Sequence, residues 1–178
     1  MSQLKFSFTA FLELHEYPAV RVGGVYAILL GIAVMLAARF DVGELYLSIL
    51  LGGTFLTSVA ILFNRPLRKY LAFGRLPVSQ KQMTKVIFVC ECLVVTALLV
   101  LFSSLDPRIL VAILLLVIST GELALAYVYG PWMLLLGMLG IVNAVAALWL
   151  RDVPFAVVGV LDGIPKLGFG FLMLIATW

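Results

Sequence analysis

Residues 109–128 read ILVAILLLVISTGELALAYV, a run whose single charged residue is Glu122. At a rise of about 1.5 Å per residue, such a run makes a helix of about 30 Å, the thickness of a bilayer's hydrocarbon core. Outward from it stand five more apolar runs of similar length, at roughly 20–38, 45–63, 84–102, 132–150 and 155–177. Turn sequences join them. Tyr129-Gly130-Pro131 puts a proline at the first position of the next helix, where its missing N–H is no loss. Ser103-Ser104-Leu105-Asp106-Pro107 and Arg151-Asp152-Val153-Pro154 end in the same way, and Arg39 to Glu44 closes the first pair. This pattern predicts an all-α, polytopic integral membrane protein, with six transmembrane helices arranged as three hairpins in a single membrane domain, 1–178.

Composition agrees with that class. The chain is 64% hydrophobic and 12% charged, against about a quarter charged for a soluble domain. Its formal charge of +3 is no sign of nucleic-acid binding, because membrane proteins concentrate Lys and Arg in cytoplasmic loops. The bases are divided unevenly: Lys5, Arg21, Arg65, Arg68, Lys69, Arg75, Lys81 and Lys85 on one side, Arg39, Arg108 and Arg151 on the other. The positive-inside rule then predicts that both termini and the long 64–83 loop are cytoplasmic. Residues 1–18, with Leu4, Phe6, Phe8, Phe11, Leu12 and Leu14, read as an interfacial segment. They have neither the continuous apolar core nor the small-residue cleavage site of a signal peptide. His15, between Glu13 and Glu16, reads either as a surface pH sensor or as a solvated headgroup contact.

In the long loop, Arg65, Arg68, Lys69 and Arg75 mix with Leu67, Tyr70, Leu71 and Phe73. The bases at 65, 68 and 69 fit one helical face, which predicts a short interfacial helix with its bases on lipid phosphates. Setting the topology is one role for this loop; docking a soluble partner or an anionic substrate is the other. The lipid bilayer is the expected partner, together with a second copy of the chain or a membrane subunit.

Signatures of catalysis and cofactor binding are missing. Cys90 and Cys92 are two apart, so on a helix they point in different directions. With His15 the single histidine, no zinc, haem or iron–sulfur ligand set can be assembled, and no cofactor is expected. There is no Walker loop, no Gly-x-Ser-x-Gly elbow and no His-Glu-x-x-His. Asp41 and Glu44 lie in an outer turn and make no diphosphate motif. An enzyme is the weakest of the readings.

The candidate site is the set of polar groups at membrane depth: Glu91, Glu122, Asp162, Lys166 and Asn143. A charge placed in hydrocarbon costs about 2.5–3.5 kcal/mol on insertion scales, so such groups face a bundle interior. From helix rise, Glu91 lies ~10 Å, Glu122 ~9 Å and Lys166 ~16 Å from the cytoplasmic face. Asp162 is one turn further and Asn143 is near the midplane. One shared cluster of these five groups is geometrically allowed. With every acid ionised the cluster carries excess negative charge, which a low-dielectric site answers by protonation or by a bound cation. That is how proton relays and coupled transporters are built. A structural reading stands beside it: Asp162 and Lys166, four apart on one helix face, neutralise each other.

The last apolar segment reads Leu161-Asp162-Gly163-Ile164-Pro165-Lys166-Leu167-Gly168-Phe169-Gly170. Pro165 cannot donate to the Leu161 carbonyl and clashes with it, which predicts a kink. Gly163, Pro165 and Gly168 are therefore the expected hinge, since discontinuous helices mark many transporter sites. Gly24, Ala27 and Gly31, like Gly137 and Gly140, are expected to let helices approach closely.

The hairpins also look like a degenerate repeat. Leu30-Gly31-Ile32 followed by Ala37-Ala38 recurs as Leu139-Gly140-Ile141 followed by Ala146-Ala147, which sets Asp162 opposite Gly52. In glycine spacing and helix count the chain resembles the small six-helix membrane proteins linked to bacterial acid resistance. That resemblance covers most of the chain and transfers no residue role. The basic loop is similar to that of prenyltransferase-like membrane proteins, whose Asp-rich motifs this chain lacks. The expected function is transport or permeation: Glu122, Glu91 and Asp162 bind a proton, cation or small solute, Lys166 is the counter-charge, and the Pro165 region moves. The rival is a non-catalytic subunit or stress-related membrane protein whose buried charges hold helices or a partner. A lipid-modifying enzyme is the third reading.

Overall fold

The computed structural model describes residues 17–40, 43–72, 77–102, 104–150 and 152–175. Among them the chain forms seven helices: α1 (Val20–Ala37), α2 (Glu44–Phe63), α3 (Arg65–Leu71), α4 (Val78–Leu101), α5 (Pro107–Tyr129), α6 (Pro131–Trp149) and α7 (Phe155–Ile175). Five of them, α1, α4, α5, α6 and α7, are long and apolar enough to cross a membrane. α2 joins that set if it and α3, bent from it by 72°, count as one span. The protein is all-helical, with five to six helices of membrane length.

Local chemistry sets the helix ends. The Asn64 side chain caps α3 by accepting from the Leu67 N–H at 3.0 Å. Asp106 caps α5 by accepting from the Arg108 N–H at 2.7 Å, and such side-chain acceptors satisfy donors that have no partner within the helix. Gly130 turns α5 into α6 with φ +97°, a conformation L side chains rarely adopt. α4 starts at Val78, six residues before the apolar run at 84. Ser79, Gln80, Lys81 and Gln82 end the apolar stretch, but nothing in them ends a helix. Among the described residues, the 64–83 loop thus holds α3 and the first turns of α4.

Each expected hairpin pair touches, yet the most extensive packing is elsewhere: α1 against α7, and α5 against α6. Membrane helices associate through close van der Waals packing rather than through apolar burial, since lipid tails are as apolar as leucine. The α1–α7 seam follows that rule. A methyl group on Gly24 would sit 2.7 Å from the Gly170 carbonyl oxygen, and one on Gly31 would sit 3.0 Å from the Gly163 carbonyl oxygen. The two backbones meet at heptad intervals, antiparallel.

This seam also runs past the expected hinge. α7 runs as one helix through Pro165. Gly163 is pressed against Met35 and the Gly31 carbonyl, and Gly170 against Gly24. α1 therefore grips α7 on both sides of the proline, so the lost Leu161 hydrogen bond does not interrupt the helix. Gly168 faces the opposite way, with nothing within 4 Å.

α4 is the least embedded of the long helices, with only Gln80 and Ile87 buried. It leans on α5, and its Phe88 ring lies 6.2 Å from that of Phe55 on α2. At the other end of α5, Arg108 donates to the carbonyls of Leu150 and Val153 and lies 5.3 Å over the Phe155 ring, fastening the α6–α7 turn. The repeat noted in the sequence carries no common packing role: Gly31 receives the α7 backbone, Gly140 receives Ser119, and Gly52 faces open space.

Candidate functional site

The α1–α7 seam and the α5–α6 pair bring three charged side chains together in the middle of the bundle. Asp162 and Lys166 are four apart on α7, so they share a face. Lys166 Nζ lies 2.9 Å from Asp162 Oδ2 and donates to Oδ1 at 3.0 Å. The same ammonium reaches Glu122 Oε1 on α5 at 3.2 Å. Relative exposures of 0% for Glu122, 1% for Lys166 and 3% for Asp162 put the triad out of contact with the surroundings. α5 and α7 are not close backbone neighbours here, and the long Lys166 stem spans the gap.

Small residues make the room. Gly31 of α1 lies against Lys166 Cβ, at 3.0 Å from a methyl placed there. On α6, Gly140 faces Ser119 and lies next to Asp162 Oδ1, at 3.4 Å from such a methyl. Ser119 spends its hydroxyl on its own helix, donating to the Leu115 carbonyl at 2.8 Å. Two carboxylates against one ammonium leave one negative charge uncompensated when all three are ionised. Glu122 Oε2 is buried with no hydrogen-bond partner. The triad can hold a proton on either acid, with Lys166 as a fixed counter-charge, or pair a cation that displaces that proton.

Of the five polar groups expected at membrane depth, the structure brings Glu122, Asp162 and Lys166 into direct contact. Asn143 stands apart: its side-chain amide donates to the Val158 carbonyl at 2.9 Å, one turn from Asp162 on α7. Glu91 is the other exception. Its carboxyl lies against Gly121, one position from Glu122, but among the described residues it touches no cation, and its Oε1 is buried without a hydrogen-bond partner. It faces a small cleft of about 20 Å³ lined also by Tyr26, Ser58, Ile61, Thr84, Ile87, Phe88, Leu125 and Tyr129. These residues come from the start of α1 and α4 and the end of α2 and α5, so the cleft lies at the end of the bundle where α1 begins. At the opposite end, the fully buried Tyr46 near the start of α2 stacks edge-on against Phe155 at 5.7 Å. Asp162 is its charged neighbour.

Sequence reasoning did not single out Tyr26, Tyr46, Ser58, Ser119, Thr84 or Tyr129. Tyrosines near membrane-helix ends are ordinary interfacial anchors, and hydroxyls that bond their own backbone carry no periodic signal. Among the expected headgroup ligands, Arg65 and Lys69 are exposed on α3 and Arg68 is half-buried. Arg75, His15 and nearly all of the 1–18 segment lie outside the described residues. Among the described residues, no three His, Cys, Asp or Glu side chains are grouped to hold a metal ion.

No curated protein and no solved structure matches this chain significantly, so the site has to be judged on its own chemistry. Residues 12–177, which include every helix and every charged group of the site, match one family described only as of unknown function, and the chain belongs to that family, DUF6609.

Proposed function

We propose that this chain is a small transport or permeation protein in which Glu122 and Asp162, balanced by Lys166, handle a proton or a cation at mid-membrane depth. The observation that carries this reading is the buried triad itself: an acid–base cluster one positive charge short, enclosed by helices of membrane length. Polar groups extend from it towards both ends of the bundle. Tyr46 neighbours Asp162 on one side, and Glu91 abuts the α5 turn that holds Glu122 on the other. A proton entering at the Glu91 cleft would pass to Glu122, across the Lys166-bridged pair to Asp162, and out past Tyr46. The unequal distribution of bases supports placing the cleft at the cytoplasmic end.

The test is a pH-gradient flux assay in proteoliposomes. Wild type is expected to dissipate the gradient, and Glu122→Gln or Asp162→Asn to abolish flux in protein that remains folded by circular dichroism. Wild-type protein that passes neither protons, sodium nor potassium under imposed gradients overturns the reading.

One observation favours a second reading, that of a non-catalytic membrane subunit. Lys166 bonds both acids at once and ties together two helices that are otherwise not close neighbours, which is what a structural clamp does. That reading predicts a co-purifying partner that is lost with Lys166→Met, and normal assembly of flux-silent wild type.

A further inference from the structure

The cleft that Glu91 faces has a composition different from that of the triad. It joins one carboxylate to three aromatic side chains, Tyr26, Tyr129 and Phe88, and to the hydroxyls of Ser58 and Thr84, with aliphatic side chains between them. Tyr26 is 97% buried, with its hydroxyl beside that of Ser58. Glu91 Oε1 is buried and unpartnered in the same space.

We propose that this cleft binds a ligand carrying an alkylammonium group, held by Glu91 as its counter-ion. Three physical arguments select that class. The carboxylate repels anions. A hard metal cation takes about six to eight oxygen ligands, and one carboxylate with scattered hydroxyls falls short of that set. An alkylammonium needs few acceptors and is attracted to aromatic faces, while its carbon atoms suit the aliphatic lining. The free space between these side chains is about 20 Å³, room for one water-sized group such as an ammonium head. The buried Glu91 Oε1 would gain a hydrogen-bond partner.

Two other charges bear on the site. Glu122 lies behind the Gly121 turn and adds to the negative potential. Arg68 of α3 is the positive charge whose field reaches Tyr129 of the cleft wall. A free amine passes that like charge, whereas a lipid headgroup would set its phosphate against Arg68 and its ammonium against Glu91. The proposal concerns binding alone and holds whether or not the triad conducts.

The experiment is equilibrium binding with no gradient. Full-length protein in detergent is titrated with ethylammonium chloride by calorimetry, against sodium chloride at matched ionic strength. Separately, protein in nanodiscs of mixed phosphatidylethanolamine and phosphatidylglycerol is ejected into a mass spectrometer to read the retained lipid. Saturable ethylammonium binding identifies a free-amine site; retention of phosphatidylethanolamine without it identifies a headgroup site. In either arm Glu91→Gln is expected to weaken binding at least about tenfold. Thr84→Leu, which narrows the cleft without touching a buried charge, serves if Glu91→Gln does not fold, and it too should weaken binding. Folded wild type that binds neither ligand, or binding unchanged by these substitutions, overturns the proposal. Flux lost in Glu122→Gln with ammonium binding absent in wild type would sink this inference and leave the transport reading standing.

Discussion

Glu122 and Glu91 approach the same turn of α5, one within it and the other against Gly121, yet their surroundings differ in one decisive respect. Glu122 is fully buried and has Lys166 at 3.2 Å. Glu91 projects from the least embedded helix, is half-buried, and has no cation on it among the described residues. A carboxylate deep in a low-dielectric bundle is tolerated only with a partner, whereas one at the wall of a cleft keeps access to polar surroundings and can remain alone. The triad is therefore organised as a closed unit and the cleft as an open one. The same residue type can serve in storage of charge at one place and in recognition of charge at the other.

The largest expected effect tests the closed unit. Lys166→Met leaves two carboxylates buried without their counter-charge, a change that costs about 3–5 kcal/mol when one partner of a buried pair is removed. Reversible unfolding in bicelles should register it as a loss of that order. Neutralising all three groups together, with Lys166→Met, Glu122→Gln and Asp162→Asn, should recover most of the loss, because no unpaired charge remains. A single Lys166→Met variant as stable as wild type would break the distinction between the two acids.

An intermediate effect is expected from packing around the triad. Gly140→Ala places a methyl 2.9 Å from Ser119 Cβ, an atom that cannot move without its helix, and overpacking of this kind costs about 1–3 kcal/mol. The smallest effect belongs to the cleft. Glu91→Gln removes a charge that no cation balances, so unfolding should shift by no more than about 0.5 kcal/mol, as at sites free of buried networks. A loss as large as that of Lys166→Met would show that Glu91 is structurally paired after all, and would merge the two regions into one.

Much of this architecture is legible from residue order. Among the described residues each of the six apolar runs is carried by one helix, give or take its last residue, because a span of lipid-compatible residues has no other way to satisfy its backbone hydrogen bonds. Asp162 and Lys166 could be paired on helical periodicity alone, since both positions belong to one helix. Glu122 could be named but not paired: its partner is on another helix, and periodicity carries no information about which helix faces which. Asn143 was grouped with the charges by depth, but depth ignores rotation about the helix axis, and its amide is turned to the Val158 carbonyl instead. Pro165 could be marked as a hinge by a local rule, but the seam with α1 that packs on both sides of it is revealed by no neighbouring residue.

Hydropathy and length thus establish a helical chain with several membrane-length spans, and the bare presence of ionisable residues in them marks where function is to be sought. Both follow from solvent: hydrocarbon imposes helix on the backbone and a penalty on each charge, and neither depends on the rest of the chain. Which acid is compensated and which is left facing a cleft depends on the close approach of α1 to α7 and of α5 to α6. Those approaches arise from shape, glycine against backbone at intervals of two turns, and shape complementarity is a property of two surfaces that exists only once they have met.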